Sequence, residues 1–156
     1  MPPHTRAQTG LEVDYATHTI RFVRSFDAPA DLVFKAWTMP EHLRCWWDAA
    51  GGQLAICEID LRVGGAFRFV SPGHPDMPFT GVYLEITPPH TLVFEALHST
   101  GRVQFTGTGD KTRMTVEIVC RSAEQLEQFL QMGVAAGTSQ TLDNLVAYIQ
   151  RQGVVA

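Results

Sequence analysis

The sequence predicts an α+β fold, a curved antiparallel sheet of about seven strands wrapped around one long C-terminal helix, with two short helices after the first strand. Three observations carry that prediction. From Gln53 onward, apolar residues recur at every second position in short runs separated by turn residues, the pattern of a strand meander. Residues 26–47, FDAPADLVFKAWTMPEHLRCWW, repeat instead at helical spacing and are punctuated by prolines. Finally, the C-terminal stretch is the one amphipathic segment long enough to cover a sheet face.

The elements follow in order. Residues 18–26, HTIRFVRSF, set Ile20 and Phe22, then after a shift Val23 and Phe26, against Arg21 and Arg24, which gives a strand with one buried face. Pro29 suits a first helical turn, where its missing N–H costs little, and Asp31 complements the helix dipole there. Leu32, Val33, Ala36 and Trp37 make the apolar face of that helix. Pro40 and Glu41 open a second one, whose apolar end is Leu43, Trp46 and Trp47. Strands are expected near 54–60, 66–71, 80–87, 91–97, 102–108 and 113–121. Between them lie the turn segments Val63-Gly64-Gly65, Ser71-Pro72-Gly73, Thr87-Pro88-Pro89-His90, Ser99-Thr100-Gly101 and Thr108-Gly109-Asp110. Connections this short favour antiparallel neighbours. Ser122 and Gln125 form a capping box, and Leu126, Phe129, Leu130, Leu142, Leu145, Val146 and Ile149 then make one helical face. Gly133 and Gly137 either break this segment into a short and a longer helix, or let it lie close to the sheet or leave space beneath it.

Composition narrows the function. The 156 residues, 45% of them hydrophobic, suit one globular domain, expected over 17–152 behind a flexible lead-in at 1–16. The net charge of −4 and the scattered arginines give no electrostatic case for nucleic acid or an anionic membrane. No apolar run approaches the roughly 18 residues of a membrane span, and the N-terminus lacks a signal-peptide core. Cys45, Cys57 and Cys120 are odd in number and widely spaced, as expected of buried or half-buried thiols in a reducing cytoplasm. Histidine spacings match no metal box, and no cofactor motif is present, so no metal or cofactor is expected. Asp60, Arg62, Gly64 and Gly65 read as a stabilised turn whose glycines supply positive φ; no helix follows to make them a phosphate cradle.

Candidate site residues come from the space between helix and sheet, where a cavity is expected. Adjacent helical residues cannot share one face, so one of Trp46 and Trp47 should enter the core and the other face the mouth; Trp47 is taken as the pocket residue. Phe67, Phe69, Tyr83, Phe94 and Phe105 sit at alternating positions on separate strands and can line one concave wall, although such residues form a packed core more often than a ligand box. Met132 and Gly137 complete the expected ligand-binding set from the terminal helical region. Among polar groups, Glu95 and His98 are candidates for acid–base work if the fold brings them to Tyr83; alternation with Phe94 points Glu95 to the opposite face.

The combination of residues 26–47, Asp60-Leu61-Arg62-Val63-Gly64-Gly65 ahead of an aromatic, Gly81-Val82-Tyr83-Leu84-Glu85-Ile86 before a Pro-Pro turn, and Gly137 with Leu142 and Leu145 resembles the helix-grip (START-like, SRPBCC) superfamily. Within it, the likeness is to the activator of heat-shock-protein-90 ATPase homologue-like family, over about 18–149. The resemblance implies a helix-grip fold of the START/Bet v type and a small hydrophobic or aromatic molecule held between sheet and C-terminal helix. It equally admits a cyclase- or hydrolase-type enzyme using the same cavity, or a co-chaperone-like interaction module, as a monomer or homodimer. Two departures stand out. Asp48-Ala49 replaces the family's frequent glycine-proline, and Thr138 replaces its usual tryptophan after the helix glycine, which would enlarge the cavity or open its mouth. The loop at 72–78, with three prolines and His74, reads as a rigid rim.

Overall fold

The computed structural model describes residues 11–155. Its elements are β1 (Leu11–Asp14), β2 (Thr19–Phe26), α1 (Ala30–Thr38), α2 (Pro40–Leu43), β3 (Ile56–Ile59), β4 (Ala66–Val70), β5 (Phe79–Thr87), β6 (Thr91–Ala96), β7 (Ser99–Thr108), β8 (Lys111–Val119), α3 (Ala123–Gln131) and α4 (Val134–Val155). All eight strands join one antiparallel sheet in the order β1-β2-β8-β7-β6-β5-β4-β3, and α4 lies along β2 on its inner face. This is the expected α+β helix-grip architecture with one strand more. Part of the expected lead-in is in fact β1, which pairs Leu11 with Phe22 and Asp14 with Thr19; residues 1–10 of it lie outside the described residues.

Strand β2 corrects the sequence reading at its centre. Its pairing with β8 runs without a bulge from Thr19↔Val119 to Phe26↔Thr112, so no shift of phase occurs. Strict alternation therefore places Arg24, and not Val23, on the inner face with Ile20, Phe22 and Phe26. Burying a guanidinium demands partners, and α4 supplies them. The Arg24 Nε donates to Asp143 Oδ1 at 3.0 Å, and its Nη2 to Ser139 Oγ at 2.8 Å. The arginine thus fixes where α4 crosses the sheet.

The short helices close one end. Pro29 sits just before α1 with an extended ψ of 154°, where its carbonyl receives the Leu32 amide, while Pro40 is inside the first turn of α2 as expected. Helix α2 ends at Leu43, so the tryptophan pair occupies the turn behind it. Ser122 Oγ accepts the Gln125 amide, but the Gln125 side chain reaches one residue further back, to the Arg121 amide. Gly133, at φ 80°, separates α3 from α4, whereas Gly137 lies inside α4.

Two turns differ from expectation in detail. Between β6 and β7 the reversal falls at Leu97-His98, both in the left-handed region at φ 55° and 60°, so Ser99, Thr100 and Gly101 belong to the strand. Positive φ at both central residues marks a tight two-residue hairpin, normally built from Asn-Gly. Here Gln125 Nε2 donates to the carbonyls of both residues, which ties the strained turn to α3. In the Asp60–Gly65 turn only Gly64 has positive φ; at Gly65 a Cβ would collide with the Asp60 carbonyl, so close backbone approach is what requires glycine there. The exposed Asp60–Arg62 pair spans the same turn at 2.9 Å.

Candidate functional site

Between the concave face and α4 lies a cavity of about 670 Å³. Small-molecule sites occupy roughly 300–1,000 Å³. The space exists because small residues face each other across it. Ala96, Ser99 and Gly101 present short side chains from β6 and β7, and Gly137 and Thr138 present theirs from α4. A Cβ built at Gly137 would meet nothing within 4 Å. Thr138 thus sits on the cavity wall where a larger residue would intrude. The rim comes from the turn Asp48–Ala50 and from Ser71, Gly73 and His74 of the proline-rich loop.

The three tryptophans divide the work of closing the end. Trp46 is 1% exposed and donates its Nε1 hydrogen to the Ala36 carbonyl at 3.0 Å, which satisfies its one polar group in the core. Trp37 is buried and directs Nε1 at Met114 Sδ, 3.3 Å away. Half-buried Trp47 lines the cavity and meets Phe69 edge-on, with ring centroids 5.0 Å apart. Helix α4 holds this turn through its backbone: Thr141 Oγ1 donates to the Trp47 carbonyl at 3.3 Å and Asn144 Nδ2 to the Asp48 carbonyl at 3.1 Å. The cavity wall and the tryptophan turn are therefore one unit.

Of the residues expected at the site, Trp47, Phe94 and Gly137 line the large cavity. Phe67, Phe69 and Tyr83 share the inner face with them but pack against Phe79 and each other; Phe67 and Phe69 are stacked with centroids 5.0 Å apart. They enclose only about 10 Å³ beside the main cavity. Burial, with a smaller contribution from Cys57, pushes the Tyr83 phenol pKa well above its ordinary value. Phe105 packs edge-on against Phe34 beneath α1, away from the cavity. Met132 ends α3 at 71% exposed and does not reach the cavity, because Gly133 reverses the chain just after it. Glu95 projects from the outer face to Arg121, 2.8 Å away, and His98 is exposed at the hairpin tip. Tyr83 points the other way, so the three do not converge.

Residues outside the expected set contribute as much. Trp37, Phe79, Leu142, Thr141, Asp48 and His74 all line the cavity. Phe79 was legible as an apolar position, but only its register with Phe69 reveals that it faces inward. Among the described residues no cluster of three or more His, Cys, Asp or Glu side chains could hold a metal, and no helix is long and apolar enough to cross a membrane.

An open antiparallel sheet gripping a long C-terminal helix defines a START-like, SRPBCC-superfamily protein. The sequence profile described as "Activator of Hsp90 ATPase homolog 1-like protein" matches residues 27–150, and the chain belongs to that family. No curated protein matches it. Similar solved structures include a Nitrosomonas europaea protein, 24% identical with a TM-score of 0.78, covering 87% of this chain and 96% of its own. A Mycobacterium smegmatis protein is also 24% identical at a TM-score of 0.78, with 91% and 97% covered. The AHSA1-like protein from Aeromonas hydrophila is 21% identical at a TM-score of 0.68, with 85% and 94% covered. At these identities the likeness concerns the fold.

Proposed function

We propose that this protein binds a small hydrophobic or aromatic molecule in the cavity between the sheet and α4. The cavity itself carries the reading. At about 670 Å³ it is far larger than a packing defect, and its walls combine Trp47, Phe79 and Phe94 with aliphatic residues of β8 and α4. Membership of a superfamily whose folds commonly hold ligands supports it further. Binding is favoured over catalysis because Glu95 and His98 lie away from the cavity.

Titration with the neutral dye Nile red tests this reading. Saturable 1:1 binding is expected, abolished in Gly137→Trp, whose indole would occupy the space beneath α4. Absence of saturable binding, or equal affinity in a folded Gly137→Trp variant, overturns it. Native mass spectrometry of freshly purified protein then identifies the resident molecule by its mass.

A further inference from the structure

Resting on the binding role proposed above, we infer that the cavity selects ligands carrying a cationic group, a hydrophobic amine or quaternary ammonium, over neutral or carboxylate analogues of the same skeleton. The charges on the wall set this preference. Asp48 is the only carboxylate among the lining residues, and none of them is Lys or Arg. The one other ionisable side chain there belongs to His74, on the opposite segment of the rim. No ion pair among the described residues involves Asp48. Its Oδ1 accepts the Ala50 amide at 3.2 Å, which fixes the carboxylate in an Asx turn at the cavity edge without neutralising it.

Two hydroxyls on the wall act in the same sense. Ser99 commits its hydroxyl hydrogen to the Ala96 carbonyl at 2.8 Å, and Thr141 shares its own between the Gly137 and Trp47 carbonyls. Both hydroxyls therefore offer lone pairs to a ligand and withhold donors. The adjoining rings of Trp47, Phe79 and Phe94 add π faces, which attract cations and repel anions. A wall with one unpaired carboxylate, no lysine or arginine, and the Ser99 and Thr141 hydroxyl hydrogens already committed matches a ligand that brings N–H donors or a fixed positive charge. It opposes a fatty acid or other carboxylate, whose charge would face Asp48 with no arginine or lysine to receive it.

Competition against bound Nile red with three probes of one skeleton reads this out: (2-naphthylmethyl)trimethylammonium, 2-naphthylmethanol and 2-naphthylacetate. The quaternary cation carries its charge at every pH. It should bind about tenfold more tightly than the alcohol, with the carboxylate weakest. Asp48→Asn keeps the oxygen that accepts the Ala50 amide, so the turn is preserved while the charge is removed. In that variant the cation should lose most of its advantage over the alcohol. Raising NaCl from 50 to 500 mM should reduce the advantage in the native protein. Equal affinity for cation and alcohol, or a preference unaltered in Asp48→Asn, overturns the charge selectivity while leaving the cavity's binding role intact. Failure of Nile red itself to bind overturns both.

Discussion

Replacing Gly137 with alanine should stabilise the protein. Glycine inside a helix costs about 1 kcal/mol relative to alanine, and the unfolded chain loses freedom when the side chain is added. Normally a buried helix position forbids the test, because the new methyl must displace a neighbour. At Gly137 the added Cβ meets no heavy atom within 4 Å, since the position opens onto the cavity. The gain of about 0.5–1 kcal/mol should therefore be realised, raising the melting temperature by roughly 1–4 °C for a chain of this size. Gly65→Ala is the contrasting case, because its Cβ would run into the Asp60 carbonyl and force the turn open. Differential scanning calorimetry of both variants, without added ligand, decides the matter. If Gly137→Ala lowers the melting temperature of ligand-free protein, protein atoms fill the space beneath α4 in solution and no cavity lies there.

Other outcomes follow from single contacts. Arg24→Ala should destabilise by about 2 kcal/mol in urea denaturation, since it strands Ser139 and leaves a hole on the inner face. Asp143→Asn, at a partner that is 60% exposed, should cost less than about 1 kcal/mol. Burial raises the Cys57 pKa to about 11 from an ordinary 9.0, so at pH 8 its alkylation should be about a hundredfold slower than that of a free thiol. Because the unfolded chain releases that proton near 9 while the folded chain keeps it to about 11, stability should fall as pH rises through this window. Tyr83 acts in the same direction, so Cys57→Ala combined with Tyr83→Phe should flatten the decline in alkaline denaturation curves.

The fold was legible because its punctuation is local. Prolines at 29 and 40, glycines at the turns and two-residue alternation locate the helices and seven of the eight strands without tertiary information. What failed needed a partner to be seen. Strand β1 has four residues, too few for a periodic signal, and exists through its register with β2. Arg24 looked like a solvent-facing residue because its compensating groups, Ser139 and Asp143, lie on a distant helix. The Leu97-His98 hairpin lacks the usual glycine and is sustained by Gln125.

The candidate site misled in a more instructive way. Large aromatic residues drew attention to Phe67, Phe69 and Phe105, yet large side chains fill space and these three pack. Empty volume arises where residues are small, at Ala96, Ser99, Gly101, Gly137 and Thr138, and of these only Gly137 and Thr138 carried a signal in the sequence. The departures at Asp48 and Thr138, together with Trp47 and the rim loop carrying His74, also pointed towards it, and all of them border the cavity.

Helix α4 is held unevenly along its length. Leu142, Leu145, Tyr148 and Ile149 are buried in its later turns, whereas its earlier turns, from Val134 to Thr138, stand over empty volume. A rod clamped at one end and held by fewer buried contacts at the other bends at the lightly held end. Local opening is easiest where buried contacts are fewest, so amide exchange along this one helix should run from fast to slow between Val134 and Ile149. The Trp47 turn is tied by Thr141 and Asn144 to the part of the helix just beyond the compliant end. Under the binding role proposed above, guests of different girth would be admitted by flexing two helical turns, with the sheet and the clamped half left undisturbed.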